Sequence, residues 1–208
     1  MVFGDDAFRQ WTDELPRSNT RFRAKFKGPT ISESTLNELA VGYLFIKELG
    51  YEADYEKDIE GRTPDWYVHS KSGIPAFIIE VWTRMLPEKT AQGLGNALKE
   101  HLPFSLWVKP SLDRKIAEKI DHYQAIIDNG IPFVVGVAAN FFSGVDKDDF
   151  IAACWGSNAG GLFRKRLGLS GVIWIERREI SNCWELSPIY NTYATNPLPS
   201  HAIGVEKD

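Results

Sequence analysis

Long apolar runs are missing from this sequence. No stretch approaches the roughly 18 uninterrupted apolar residues that a membrane-spanning helix requires, so no membrane partner is expected. Cysteine is scarce. Cys154 and Cys183 are the only two, too few for a secreted disulfide framework, and two core thiols in a reducing cytoplasm are the expectation. No C-x-x-C or H-E-x-x-H occurs, which leaves a zinc site without support. No glycine-rich strand-to-helix fingerprint is present, which argues against hydride transfer. No G-x-S-x-G elbow is present, which argues against serine-hydrolase chemistry. An excess of positive charge is lacking too. Twenty-four Lys and Arg stand against 28 Asp and Glu, a net charge of −4, so the whole chain is not a basic wrapper for nucleic acid. The start, MVFGDDAFRQW, is acidic and polar, unlike a signal peptide.

What is present is core material. Of 208 residues, 43% are apolar, and seven Trp, seven Tyr and twelve Phe supply bulk. That suits a single domain, expected over residues 29–200, with an N-terminal arm or edge segment at 1–28 and a tail at 201–208. Residues 1–30 show no regular pattern, although the alternation Arg21-Phe22-Arg23-Ala24-Lys25-Phe26-Lys27 is that of an edge strand or a basic arm. A helix is expected from Thr30, with Glu33 completing a capping box, to about Leu49, where Gly50 stops it. Within it Glu38 falls beside Val41, Phe45 and Leu49, and an acid among apolar neighbours needs a partner. A charged strand is expected within Tyr51–Glu60. A helix starting near Pro87 and ending near His101 would be followed by a strand at 104–108. A helix over Leu112–Asn129 would pack through Leu112, Ile116, Ile120, Tyr123 and Ile127, leaving Lys115, Lys119 and His122 solvated. Ile131–Val137 reads as a buried strand, Asp148–Trp155 as a short helix, and Gly171–Ile175 as another strand. Helices alternating with apolar strands argue for an α/β fold with the sheet covered on both faces.

The most informative stretch is Gly61–Thr83, GRTPDWYVHSKSGIPAFIIEVWT. Trp66–His69 and Ala76–Val81 read as two strands joined by a turn at Lys71-Ser72-Gly73. Asp65 and Glu80 are equidistant from the centre of that turn. A symmetric register sets them across from each other, with Cβ atoms about 5 Å apart. Two acids that close repel unless a proton or a cation lies between them, and a hard divalent ion accepts such oxygens. The plainer alternative is a surface hairpin in which Asp65 caps a turn and Glu80 marks a strand end.

Thr63-Pro64-Asp65-Trp66 followed by Ile78-Ile79-Glu80-Val81-Trp82 resembles the core of the PD-(D/E)xK nuclease superfamily. The resemblance implies a three-layer α/β/α, restriction-endonuclease-like fold with a central mixed sheet. It also implies a Mg²⁺ or Mn²⁺ ion held by Asp65, Glu80 and the Val81 carbonyl. An N-terminal helix in this family often adds a glutamate near the metal, and Glu38 stands in that place. The family's usual lysine would fall at position 82, where this chain has Trp82. Lys89 or Arg84, on or before the following helix, is the expected substitute. A long helix followed by a strand like Ile131–Val137 resembles the second half of the family core. The tail from Asn196 loosely resembles bacterial nuclease-like proteins.

The leading expectation is a cytoplasmic, metal-dependent nuclease hydrolysing DNA phosphodiester bonds. Asp65, Glu80, Glu38 and Lys89 would be at the catalytic centre. Arg21, Arg23, Arg84, Arg164, Lys165 and Arg166 would meet the nucleic-acid backbone. The alternative is a nuclease-like module without activity that binds nucleic acid or a protein partner. Trp82 supports it, because an indole cannot offset phosphate charge. A homodimer stays open in either case.

Overall fold

The structure is a computed structural model that describes residues 1–18, 22, 31–84, 112–139, 147–156, 160–178 and 181–204. Its framework is a seven-stranded mixed sheet in the order β1-β7-β6-β5-β4-β3-β2. The strands are β1 (Val2–Gly4), β2 (Ala53–Tyr55), β3 (Trp66–Val68), β4 (Phe77–Arg84), β5 (Phe133–Ala139), β6 (Leu169–Arg178) and β7 (Cys183–Tyr190). The helices are α1 (Asp5–Ser18), α2 (Glu33–Tyr43), α3 (Leu112–Asp128), α4 (Lys147–Trp155) and α5 (Leu162–Lys165). β4, β5 and β6 run parallel, and antiparallel strands flank them on both sides. The fold is therefore mixed α/β, as the alternation of elements indicates.

Strand alternation divides the core in two. Ile79, Val81, Val134, Ile173 and Ile175 point to the face covered by α1 and α2. Ile78, Phe133, Val135, Val137 and Val172 point to the face covered by α3, α4 and α5. Such strands, apolar on both faces, are what parallel sheets require. The hairpin has the expected form. Lys71 and Ile74 bridge across Ser72-Gly73, and Trp66↔Ile79 and Val68↔Phe77 are paired. One further step along that register brings Asp65 level with Glu80.

Several boundaries differ from those read in the sequence. The helix after residue 30 begins at Glu33, and Ser32 is its N-cap, accepting from the Thr35 amide at 3.2 Å. After Tyr43 it continues as a wider π-helical turn over Leu44–Glu48. Gly50 then leaves at φ +64°, a left-handed angle that suits glycine. The strand expected within Tyr51–Glu60 shrinks to Ala53–Tyr55, because Glu56 and Glu60 both take positive φ. The start of the chain is not irregular. β1 is an edge strand on β7, and α1 buries Phe8, Trp11 and Leu15, spaced along one helical face. Asp5 is buried at the start of α1 and accepts from Trp184 Nε1 at 3.1 Å and Arg177 Nη2 at 3.1 Å, which fastens α1 to β6 and β7. Burial alone would raise its pKa, but the donors from Arg9 and Trp184 and the charge of Arg177 hold it below the usual carboxylate range.

β7 follows the last strand expected from the sequence, with Pro188 inside it. Proline is tolerated there because β1 is only three residues long and pairs Cys183–Glu185, leaving Pro188 with no strand on its outer side. Ala202 and Ile203 are buried, and Tyr51 Oη donates to the Ala202 carbonyl at 3.0 Å. Both cysteines are free. The Cys154 thiol is fully buried, which pushes it up to about 12. The elements expected at 87–101 and 104–108 lie outside the described residues.

One close approach fixes α2 against the hairpin. The six-membered ring of the Trp66 indole rests on the bare Cα of Gly42, and a Cβ built on that glycine would overlap the ring. Trp66 Nε1 donates to the Glu38 carbonyl one helical turn earlier at 2.7 Å. Gly42→Ala is expected to cost about 1–3 kcal/mol through overpacking. Urea titration measures it, and Trp66→Phe in the same chain should recover part of the loss. A Gly42→Ala variant as stable as the parent would mean that α2 can withdraw from the sheet freely.

Candidate functional site

β4 carries Glu80 on the α3 face of the sheet, between Ile78 and Trp82. Two side chains of α3, one turn apart, reach its carboxylate. Lys119 Nζ donates to Oε1 at 2.7 Å, and Tyr123 Oη donates to Oε2 at 2.8 Å. Both partners of the ion pair are largely buried, with 22% of the lysine side chain and 18% of the glutamate exposed. Tyr123 Oη also lies 3.3 Å from the Thr63 carbonyl, so the same hydroxyl ties the Thr63-Pro64-Asp65 segment to β4. Burial, then the charge and hydrogen bond of Glu80, push the Tyr123 hydroxyl well up, so it stays a donor.

Asp65 sits immediately before β3. Its Oδ2 accepts the Val81 amide at 2.7 Å, and its carbonyl accepts the Glu56 amide at 3.0 Å. Burial raises its carboxyl well above the usual range, and the charges of Glu80 and then Glu38 add to the rise. The Val81 amide and the Lys119 charge oppose it without cancelling it.

Glu38 comes from α2 on the other side of Asp65. It is buried, and the partner it needs is Tyr55 of β2, whose hydroxyl donates to Oε2 at 2.6 Å. Ser34 Oγ lies 3.4 Å from Oε1. Phe22 stacks on the Tyr55 ring at 4.5 Å and closes this side. Burial, followed by the Glu38 hydrogen bond, pushes the Tyr55 hydroxyl up as well. The preceding residue of α2, Asn37, donates to Thr83 Oγ1 at 3.0 Å and holds the helix against the end of β4.

Asp65, Glu80 and Glu38 are thus brought within electrostatic reach of one another, as their positions in the sequence suggested. Val81 meets the group through its amide. Trp82 packs against the α3-side core. Lys119 is the residue that sequence reasoning misplaced. Expected to be solvated, it pairs with Glu80 instead, while Lys115 does lie at the surface and pairs with Glu118 at 2.7 Å. The available signal was its spacing. Lys119 precedes Tyr123 by one turn and borders the buried Ile116–Ile120 stripe, so its stem runs along the core with its head at the margin. Lys89, Arg21, Arg23 and the side chain of Arg84 lie outside the described residues. Arg164 and Lys165 are on α5, and Arg166 follows it.

Among the described residues, no group of three or more His, Cys, Asp or Glu side chains converges to hold a metal ion as the side chains stand. Each acid is instead turned to a protein donor. The donor set nevertheless fits a hard divalent cation in kind: carboxylate oxygens, with Asp65 buried between two other acids whose repulsion a cation would relieve. No family model matches the chain, and no curated protein or solved structure was found to match it.

The raised Asp65 carboxyl gives a pH dependence. The folded state holds this proton more tightly than the unfolded chain does. Its contribution to stability is therefore full below the unfolded carboxylate value of about 3.9 and is lost as pH rises through the raised folded value. Asp65→Asn keeps an acceptor for the Val81 amide and removes the ionisation. In chelator, the melting temperature of Asp65→Asn relative to the parent should climb between acid and neutral pH. A difference that stays flat with pH would show that Asp65 ionises without penalty.

Proposed function

We propose that the protein is a metal-dependent nuclease of the PD-(D/E)xK type, with a restriction-endonuclease-like core, that hydrolyses DNA phosphodiester bonds. The observation that carries this reading is Lys119 Nζ at 2.7 Å from Glu80, beside Asp65. It supplies from a helix the cation that Trp82 cannot supply from the strand. The order of elements supports the same reading. The helix carrying Glu38 precedes the strands of Asp65 and Glu80, and α3 then leads into the buried strand β5.

Asp65 and Glu80, with Glu38 and the Val81 carbonyl, would hold Mg²⁺ or Mn²⁺. The ion would supply Lewis acidity towards the phosphate and a bound water of lowered pKa. The chain's own groups do the positioning. Tyr123 fixes the rotamer of Glu80 through Oε2. Tyr55 does the same for Glu38. Lys119 brings a partly desolvated ammonium to the place where a phosphodiester gathers negative charge in the transition state, and a fixed cation acts most strongly where water is scarce. A second reading, a nuclease-like module that binds without cutting, is favoured by the ion pair itself, because Lys119 occupies the Glu80 oxygen that a ligand ion would use.

Cleavage of supercoiled, linear and single-stranded DNA, run with Mg²⁺, Mn²⁺ and chelator, separates the two. The parent should cut weakly, best with Mn²⁺, and Glu80→Ala should abolish cutting. Lys119→Ala should lower the rate about 10²–10³-fold, by analogy with loss of one transition-state donor. Lys89→Ala in the same assay tests the alternative cation. Unchanged cleavage in Lys119→Ala would remove that lysine from the chemistry, and no cleavage by the parent under any condition would leave the binding module.

A further inference from the structure

Near the C-terminal end of α3, the chain builds a second surface of opposite charge. Three consecutive cations, Arg164, Lys165 and Arg166, end α5 and begin the turn into β6. Around them stand most of the large apolar side chains that the described residues leave exposed. Trp155 is 40% exposed, Leu167 48% and Tyr193 40%. The Arg164 guanidinium lies over the Tyr193 ring, 4.5 Å from its centroid, and Arg164 Nη2 donates to the Tyr193 hydroxyl at 2.7 Å. Trp155 stands edge-on to Phe163, the residue before Arg164 on the same short helix, at 5.1 Å. Neither Arg164 nor Lys165 has an acidic partner among the described residues.

This surface is held rigidly from beneath. Asn191 is buried, and its amide nitrogen donates to the carbonyls of Leu169 at 2.7 Å and Phe163 at 3.2 Å. Its Oδ1 accepts the Tyr193 amide at 2.9 Å. The Thr195 amide donates to the Leu167 carbonyl at 2.8 Å, and Asn196 Nδ2 donates to the Ile127 carbonyl of α3 at 2.6 Å. One buried asparagine thus fixes both the basic turn and the loop bearing Tyr193, and Asn196 joins that loop to the end of α3.

We infer that the surface formed by Trp155, Arg164, Lys165 and Tyr193 binds a single strand of nucleic acid. Three features select that occupant. A chain of net charge −4 that gathers three consecutive cations on a rigid turn is complementary to a polyanion. Exposed aromatic rings offer the faces on which unpaired bases stack, and such stacking is tolerant of sequence. A duplex hides those base faces, so a purely phosphate-binding surface would have no use for Trp155 and Tyr193. From the level of Ile127 back to Lys119, α3 rises about 12 Å at 1.5 Å per residue. That is a span of a few nucleotides. This inference deepens the nuclease reading by naming a strand with unpaired bases as the form that the protein holds. It stands on its own observations, because binding here requires neither metal nor cleavage.

The test is fluorescence anisotropy of the full chain with a labelled oligo-dT 20-mer in EDTA, where no cleavage occurs. A paired 20-mer duplex and anionic phosphatidylserine vesicles serve as the other arms. The parent should bind the single strand at least tenfold more tightly than the duplex. Arg164→Ala with Lys165→Ala should weaken binding at least tenfold and reduce the steepness of the log K against log salt plot by about 1.4, as expected for two lost phosphate contacts. Trp155→Ala with Tyr193→Ala should weaken binding to a similar degree while leaving the salt slope unchanged. Arg114→Ala with Lys115→Ala, surface residues paired with Glu118, should change nothing. Circular dichroism melts confirm that each variant is folded. Equal binding of duplex and single strand, unchanged affinity in both patch variants, or binding only to the vesicles would each overturn the proposal. If the oligomer fails to bind while Mn²⁺-dependent cleavage persists, the surface proposal falls and the nuclease reading stands. The reverse result removes the nuclease alone.

Discussion

The indole of Trp66 lying on Gly42 sets the distance between α2 and the sheet, and the remaining geometry follows from that distance. With a side chain at position 42, the helix would ride further out. Glu38, one turn earlier on the same helix, would then lose both its backbone bond to Trp66 and its reach towards Asp65. The contact also explains why so polar a helix face is buried at all. Asn37 and Glu38 are both largely covered, and each finds a hydrogen-bond partner on a strand, Thr83 and Tyr55 respectively. Burying those groups without partners would cost about 1–3 kcal/mol each. The close approach therefore creates a demand for polar partners that the strands meet.

The same proximity concentrates negative charge. Asp65 has a carboxylate on each side of it, from two different layers of the fold, and Lys119 approaches with the opposite sign. The two tyrosines share the load without adding charge. Each donates to an outer acid, and each has its own ionisation suppressed by burial and by that acid. The result is a polar group with a fixed direction: donors on the outside, carboxylates towards the middle, and Asp65 innermost. Such an arrangement stores repulsion in the folded state.

Much of this was legible in the sequence, and the reasons differ from residue to residue. Asp65 and Glu80 could be set opposite each other because a hairpin with a short turn has one symmetric register, and the pairing of Trp66 with Ile79 keeps it. Glu38 could be singled out because helical periodicity put an acid on an apolar stripe. Its partner could not be named, since Tyr55 reaches it across a gap in the chain that no local pattern spans. Lys119 was hidden for a related reason. A lysine at the margin of an amphipathic helix has the same periodicity whether its head meets water or a carboxylate, and only the packing of α3 over β4 decides. β7 was obscured by Pro188, whose tolerance depends on how short the opposing strand β1 is. α1 carried its signal in Phe8, Trp11 and Leu15, but the charges between them masked it.

The position of Trp82 acquires a physical explanation once Lys119 is in place. Position 82 lies on the same face of β4 as Glu80, two residues further along, and that is the face α3 covers. A cation destined for Glu80 can arrive either from the strand or from the helix above it, because both elements border the same space. A lysine at each would set two ammonium groups side by side in a partly buried place, which like-charge repulsion disfavours. With the helix supplying the charge, the strand position is released to packing, and an indole fills it against the α3-side core. Tryptophan at 82 and lysine at 119 thus border the same limited volume beside Glu80, which holds the single positive charge of Lys119 and the packed indole.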